Sequence, residues 1–217
     1  MEKGSKNTSK NIKFNNIICI VFSIILICFI IAILIFGDPT NRLVSCICTL
    51  LCYLMPLILF FIFKIKICPM LVTIYLIFIT FTAFFSSCLN FGKFIPFLDK
   101  IQHFIWGYIS CFIGLFILCK TKEIDKIKPF TIILFFIGLS LATACIWELI
   151  EFTGDTLFNQ TTQGYPVNGI TPVTDTMLDL TVHTLGTIIF TIHYCLDKFK
   201  NSKLGLTNII NHFKSDC

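Results

Sequence analysis

The run "FTIILFFIGLSLATACIWELIEFTGD", residues 130 to 155, decides how this chain folds. From 130 to 147 it holds no charged residue and no proline, and that length approaches the ~20 apolar residues a helix needs to cross a bilayer. No water reaches the hydrocarbon region to satisfy exposed backbone groups, so the run takes the one local form that bonds its own backbone, an α-helix. Three carboxylates then arrive at one end, Glu148, Glu151 and Asp155. Their i, i+3, i+7 spacing places them on one helical face. A stripe of acids turned to lipid is costly, so this one is expected to face other helices.

Five further runs of the same kind lie at residues 17–36, 43–63, 68–89, 101–119 and 175–196. With 130–152 they predict an all-α polytopic membrane bundle of six transmembrane helices. The composition agrees, with 56% hydrophobic and only 13% charged residues in a chain of 217, well outside the range of soluble domains. The expected organisation is an N-terminal tail over 1–16, a transmembrane domain over 17–196 with its polar site between 99 and 186, and a C-terminal tail over 197–217. The first run is too long, and too poor in small residues at its end, for a cleaved signal peptide. Of the 17 Lys and Arg, all but Arg42, Lys93 and Lys100 fall in the two tails or in the second and fourth loops. The positive-inside rule therefore predicts cytoplasmic termini and a multi-pass protein of a bacterial plasma membrane; the Ile, Lys, Asn and Phe bias suits an AT-rich bacterial genome. The net charge of +5 then belongs to tails beside an anionic leaflet and not to a nucleic-acid surface. The 12 cysteines form no CxxC pair and read as small packing residues. Pro56 is expected to kink the second span, and the Thr/Gly/Asn-rich loop over 153–174 to fold across the outer mouth.

Polar chemistry is confined to the last three spans. "LDKIQHFIWG" (98–107), "WELIEFTGD" (147–155) and "TDTMLDLTVHTLG" (174–186) all fall at the outer end in this topology. Asp99 and His103 are i, i+4, and Asp175, Asp179 and His183 run i, i+4, i+8, each a single stripe. Lys100 is the one basic side chain within these motifs, so the carboxylates must share protons or a bound cation. Mixed Asp, Glu and His donors suit zinc, iron or manganese better than magnesium or calcium. The expected metal ligands are His103, Glu148, Glu151 and Asp179, with Asp99, Asp175 and His183 as acid/base groups or further ligands. Simpler expectations stand beside these. Asp99 and Asp175 would cap helix starts, Trp106 and Trp147 would anchor at the interface, and the acids would form a polar network joining helices.

At these residues the chain resembles the YjdF-like family of bacterial integral membrane proteins. The resemblance is carried by Asp99, Lys100, His103, Phe104 and Gly107; by Trp147 to Phe152 in "WELIEF"; by Thr162, Gln163 and Gly164; and by Asp175, Thr176, Asp179 and Gly186. It spans roughly residues 70 to 196, with a longer loop before Asp175 and a histidine at 183 as departures. A weaker similarity, in the "DKxxHF" start and the acidic pair, reaches the VanZ-like proteins. The resemblance implies a membrane protein with a site here but brings no reaction. The residues themselves suggest a metal-dependent hydrolase or transferase acting on a lipid-linked or envelope substrate. A proton- or metal-coupled transporter and a structural or partner-binding protein are the alternatives.

Overall fold

The computed structural model describes residues 2–36, 42–89, 94–95, 97–121, 124–163, 171–200 and 205–215. Among these the regular structure is helical, with no strand. The helices are α1 (Glu2–Phe36), α2 (Arg42–Phe61), α3 (Pro69–Ile79, continued by a π-helical segment Thr80–Cys88), α4 (Leu98–Lys120), α5 (Pro129–Phe158), α6 (Pro172–Lys200) and α7 (Leu206–Ser215). Within α1 to α5 lie five stretches long and apolar enough to cross a membrane. α6 has the length, but its carboxylates and histidines lower its hydropathy.

Several boundaries differ from the sequence reading. α1 is helical from Glu2, so most of the predicted N-terminal tail continues the first span as helix. α5 runs on to Phe158, where Asn159 takes the left-handed conformation that asparagine tolerates. The predicted C-terminal tail contains α7, and the part of the outer loop over 164–170 lies outside the described residues.

The chain forms two compact units. The first holds α1 to α3 and the π-helical segment. Its core is Cys19, Leu26, Tyr53, Val72, Leu76 and Ile79. Pro69 opens α3 at a position where a missing N–H costs nothing. Tyr53 Oη and Thr80 Oγ1 meet at 3.0 Å, tying α2 to the first residue of the π-helical segment. Cys46 and Cys88 are wholly buried, and none of the described cysteines is in a disulfide.

The second unit, Phe97–Ser215, contains α4 to α7. α4 and α6 run parallel and cross with backbone almost against backbone. A Cβ on Gly107 would collide with the carbonyl oxygen of His183, and one on Gly186 with that of Phe104. α5 lies antiparallel to both. Ser140 Oγ meets Ser110 Oγ and Thr187 Oγ1, each at 2.7 Å, and His183 Nε2 at 2.9 Å. Buried hydroxyls thereby satisfy one another across three helices, as an apolar surround requires. One layer further from the crossing, Phe136, Phe190, Phe112 and Tyr108 form edge-to-face ring pairs. α7 is held by Phe213 against Phe116, with ring centroids 5.3 Å apart, and by Asp197, whose Oδ2 accepts from the Thr207 N–H and hydroxyl. The exposed Lys214–Asp125 pair at 2.7 Å adds little, since water screens it.

The crossing yields a direct test. Gly107→Ala and Gly186→Ala are each expected to lower stability by roughly 1–3 kcal/mol or more, read as a fall in the thermal midpoint of detergent-purified protein. Gly138→Ala is the control, because nothing lies within 4 Å of a Cβ placed there. Equal midpoints for all three variants would refute the close crossing.

Candidate functional site

The first turns of α4 and α6 begin at the same end of the second unit, and the last turns of α5 finish there. α4 therefore delivers Asp99, Lys100 and His103, α6 delivers Asp175 and Asp179, and α5 delivers Glu148 and Glu151. Asp99 and Asp175 sit in first helical turns, where the partial positive charge of the helix N-terminus favours an anion. Neither is a cap. The residue before α4 is Phe97, without a side-chain cap bond, and at α6 Thr171 Oγ1 accepts from the Thr174 N–H at 3.2 Å.

Lys100 is the centre of the charge distribution. Its Nζ lies 2.6 Å from Asp175 Oδ1, 2.7 Å from Asp179 Oδ2, 2.8 Å from Asp179 Oδ1 and 3.2 Å from Asp99 Oδ2. An ammonium group has three N–H donors, and three carboxylates take them. Asp179 is 1% exposed, whereas Asp99 is half open at 47%.

On the other side of the same two aspartates stands His103. Its Nε2 is 3.6 Å from Asp99 Oδ1, 3.8 Å from Asp179 Oδ1 and 3.8 Å from Glu148 Oε1. These separations exceed hydrogen-bond lengths. They approach the spacing of donors that share an ion, since two atoms each ~2.1 Å from a metal are about 3.4 Å apart at the tetrahedral angle. Asp99, His103 and Asp179 form a group whose ligand atoms lie within 4.8 Å of one another and could hold a metal. Glu148 extends that group. It is 6% exposed, and neither carboxylate oxygen makes a hydrogen bond among the described residues. A buried carboxylate without a protein hydrogen-bond partner carries a desolvation cost that a proton, a cation or bound water relieves. The donor set, one imidazole with carboxylates, fits a borderline transition metal.

The remaining candidates fall outside this inner group. Glu151 Oε1 accepts from Trp147 Nε1 at 3.0 Å, so the tryptophan expected as an interfacial anchor is a partner of the acid. His183 lies one turn beyond Asp179, wholly buried. Its Nε2 meets Ser140 Oγ and the Ser140 carbonyl oxygen, and its Nδ1 has no hydrogen bond among the described residues. It belongs to the layer that packs the helices. Sequence reasoning missed Ser110, Ser140 and Thr187, because single hydroxyls within an apolar run carry no periodic signal.

Asp155 closes the end of α5. Its Oδ1 accepts from the Thr162 N–H at 2.8 Å and hydroxyl at 2.7 Å, and its Oδ2 from the Gln163 N–H at 3.0 Å. Gln163 Nε2 donates to Thr176 Oγ1 at 3.0 Å. The segment after α5 is thereby fastened back onto α5 and across to α6, beside the acids. Gly164 and Lys93 lie outside the described residues.

This chain belongs to the family described as "Predicted membrane protein (DUF2238)", which matches residues 17–197. No curated protein and no solved structure matches it.

Removing the Asp155 carboxylate tests the fastening. Hydrogen bonds to a charged group stabilise by about 1.5–3 kcal/mol each, so Asp155→Ala is expected to speed amide exchange over 159–163 by on the order of tenfold or more. Exchange in the middle of α5 should stay as in the wild type. Unchanged exchange at Thr162 and Gln163 would show that the carboxylate does not hold this segment.

Proposed function

We propose that this family member is a membrane-embedded, metal-dependent hydrolase or transferase that acts on a lipid-linked or envelope substrate. One observation carries the reading: Asp99, Glu148 and Asp179, from three helices, bring carboxylate oxygens to 3.6–3.8 Å from a single imidazole nitrogen, His103 Nε2. Four carboxylates, Asp99, Asp175, Asp179 and Glu148, face one lysine. If ionised, they leave an excess of negative charge that a membrane interior does not tolerate. A divalent ion relieves it. Zinc, iron or manganese held there would polarise a phosphoryl or acyl oxygen, or activate water, without a proton having to move first.

The chain's own residues then have separate tasks. His103, Glu148 and Asp179, all buried, hold the ion. Asp99, half exposed at the mouth, is the member a substrate meets, and it is placed to exchange a proton or to complete the ligand set. Asp175 keeps Lys100 in place, and Glu151, which accepts from the Trp147 indole, is a further ligand candidate. His183, one turn further along α6, is held by Ser140. Ile101, Phe104, Leu149 and Phe152, on the same turns of α4 and α5 as these groups, are exposed, a setting in which a lipid tail stays in the bilayer while its head group reaches the carboxylates.

In this reading α6 is the sixth membrane crossing, because its parallel packing on α4 carries it through the same layer. Both termini are cytoplasmic, as the lysine distribution favours, and the site opens to the outer leaflet of a bacterial plasma membrane. The YjdF-like and VanZ-like resemblances support an envelope setting and say nothing about the reaction.

Elemental analysis of detergent-purified protein tests the centre. The wild type is expected to carry a near-stoichiometric transition metal, and Glu148→Ala and Asp179→Ala to fall to background while remaining monodisperse. A wild type that stays free of metal after dialysis against Zn²⁺ and Mn²⁺ would defeat the reading.

A further inference from the structure

We infer that Lys100 is the site's built-in second cation: its ammonium group stands among Asp99, Asp175 and Asp179 where a second metal ion would otherwise be drawn, so the centre takes one divalent ion and not two. The inference rests on the reading of the His103 side as a metal centre and adds how many ions it holds. Two-metal sites use carboxylates that bridge cations about 3.5–4 Å apart, one oxygen toward each. Asp99 is arranged in this way, with Oδ1 toward His103 and Oδ2 toward Lys100. Asp179 lays both oxygens on Lys100 Nζ, at 2.8 and 2.7 Å, and shares Oδ1 with the His103 side, 3.8 Å from Nε2. Asp175, at 2.6 Å, completes a three-carboxylate cradle around the ammonium. The metal side has its own independent sign, the buried Glu148, whose oxygens make no hydrogen bond among the described residues and whose Oε1 lies 3.8 Å from His103 Nε2.

A tethered ammonium differs from a metal ion in one consequential respect. All three of its donors are taken by the aspartates, so it neutralises charge without offering a position to a substrate oxygen. Lys100 is thus a positioning residue. It fixes the two bridging carboxylates with one oxygen each toward His103, and it restricts substrate to the single ion on the side of Asp99.

Removing the ammonium leaves its cradle with three negative charges and no counter-ion, which is a site for a second divalent cation. The full-length protein in detergent is dialysed against Mn²⁺ and, separately, Zn²⁺, and bound metal is measured per chain. About one ion is expected for the wild type and for Lys100→Arg, and about two for Lys100→Ala. One ion or none in Lys100→Ala beside one in the wild type overturns this inference and leaves the metal centre standing; none in the wild type removes both. If Lys100→Ala is not monodisperse, Lys100→Ala/Asp175→Asn keeps the wild-type net charge. It is expected to bind about one ion, and two or none overturns the inference.

Discussion

The α4–α6 crossing is the constraint on which the rest of the second unit depends. Gly107 lies against the backbone of His183 and Gly186 against that of Phe104, which fixes the axial register of two parallel helices as well as their distance. Register is what the site needs. Asp99 is five and eight residues before Phe104 and Gly107, and Asp179 is four and seven before His183 and Gly186, so at ~1.5 Å per residue the two aspartates rise almost equally from the contact. A slip of one turn would move the α6 carboxylates ~5.4 Å along α4 and separate them from both Lys100 and His103. Larger residues at the crossing would part the helices. The carboxylates would then lose the lysine that makes their burial tolerable.

Charge explains why the groups are graded from the mouth inward. Asp99 and Asp175 occupy first helical turns, where the helix dipole and partial exposure lighten the cost of ionisation. Asp179 and Glu148 have neither advantage. Asp179 offsets its burial with Lys100, on both oxygens. Glu148 has no such partner, and it comes from the C-terminal half of α5, where the dipole opposes an anion. The same opposition acts on Glu151 and Asp155, and each is relieved locally, by the Trp147 indole and by the N–H groups of Thr162 and Gln163. Among the described acids of the site, Glu148 is the one whose buried oxygens make no hydrogen bond.

The parts of this arrangement that were legible in the sequence follow from helical period and membrane length. Continuous apolar runs located the helices, and the i, i+4 stripes of Asp99 with His103 and Asp175 with Asp179 located one wall of the site. Period alone does not say which of two acids on a stripe points inward. Glu148 and Glu151 are three residues apart, and Glu151 in addition accepts from the Trp147 indole. His183 continues the Asp175–Asp179 stripe, yet the crossing at Gly186 brings α5 close enough for Ser140 to take its ring. The glycines were visible as motif positions, but their role depends on a partner helix some 80 residues away. The extension of α5 and the appearance of α7 escaped because polar helical ends resemble loops when hydropathy is the guide.

The layer beneath the acids bears on the choice between the proposed reaction and transport. A path for ions or protons through the unit would need polar groups that exchange partners along its length. Below His183 the hydroxyls of Ser110, Ser140 and Thr187 are engaged with one another and with the Gly107 carbonyl oxygen. Beyond them the rings of Phe136, Phe190, Phe112 and Tyr108 pack edge to face, with Phe136 and Phe190 wholly buried. Tyr108, itself part of that layer, meets His193 at 2.6 Å. A transported cation would have to part these rings and leave a satisfied hydroxyl cluster without its partners. A substrate that approaches from the half-exposed Asp99 and leaves the same way needs neither, and the tight crossing that assembles the acids is the same feature that closes the route behind them.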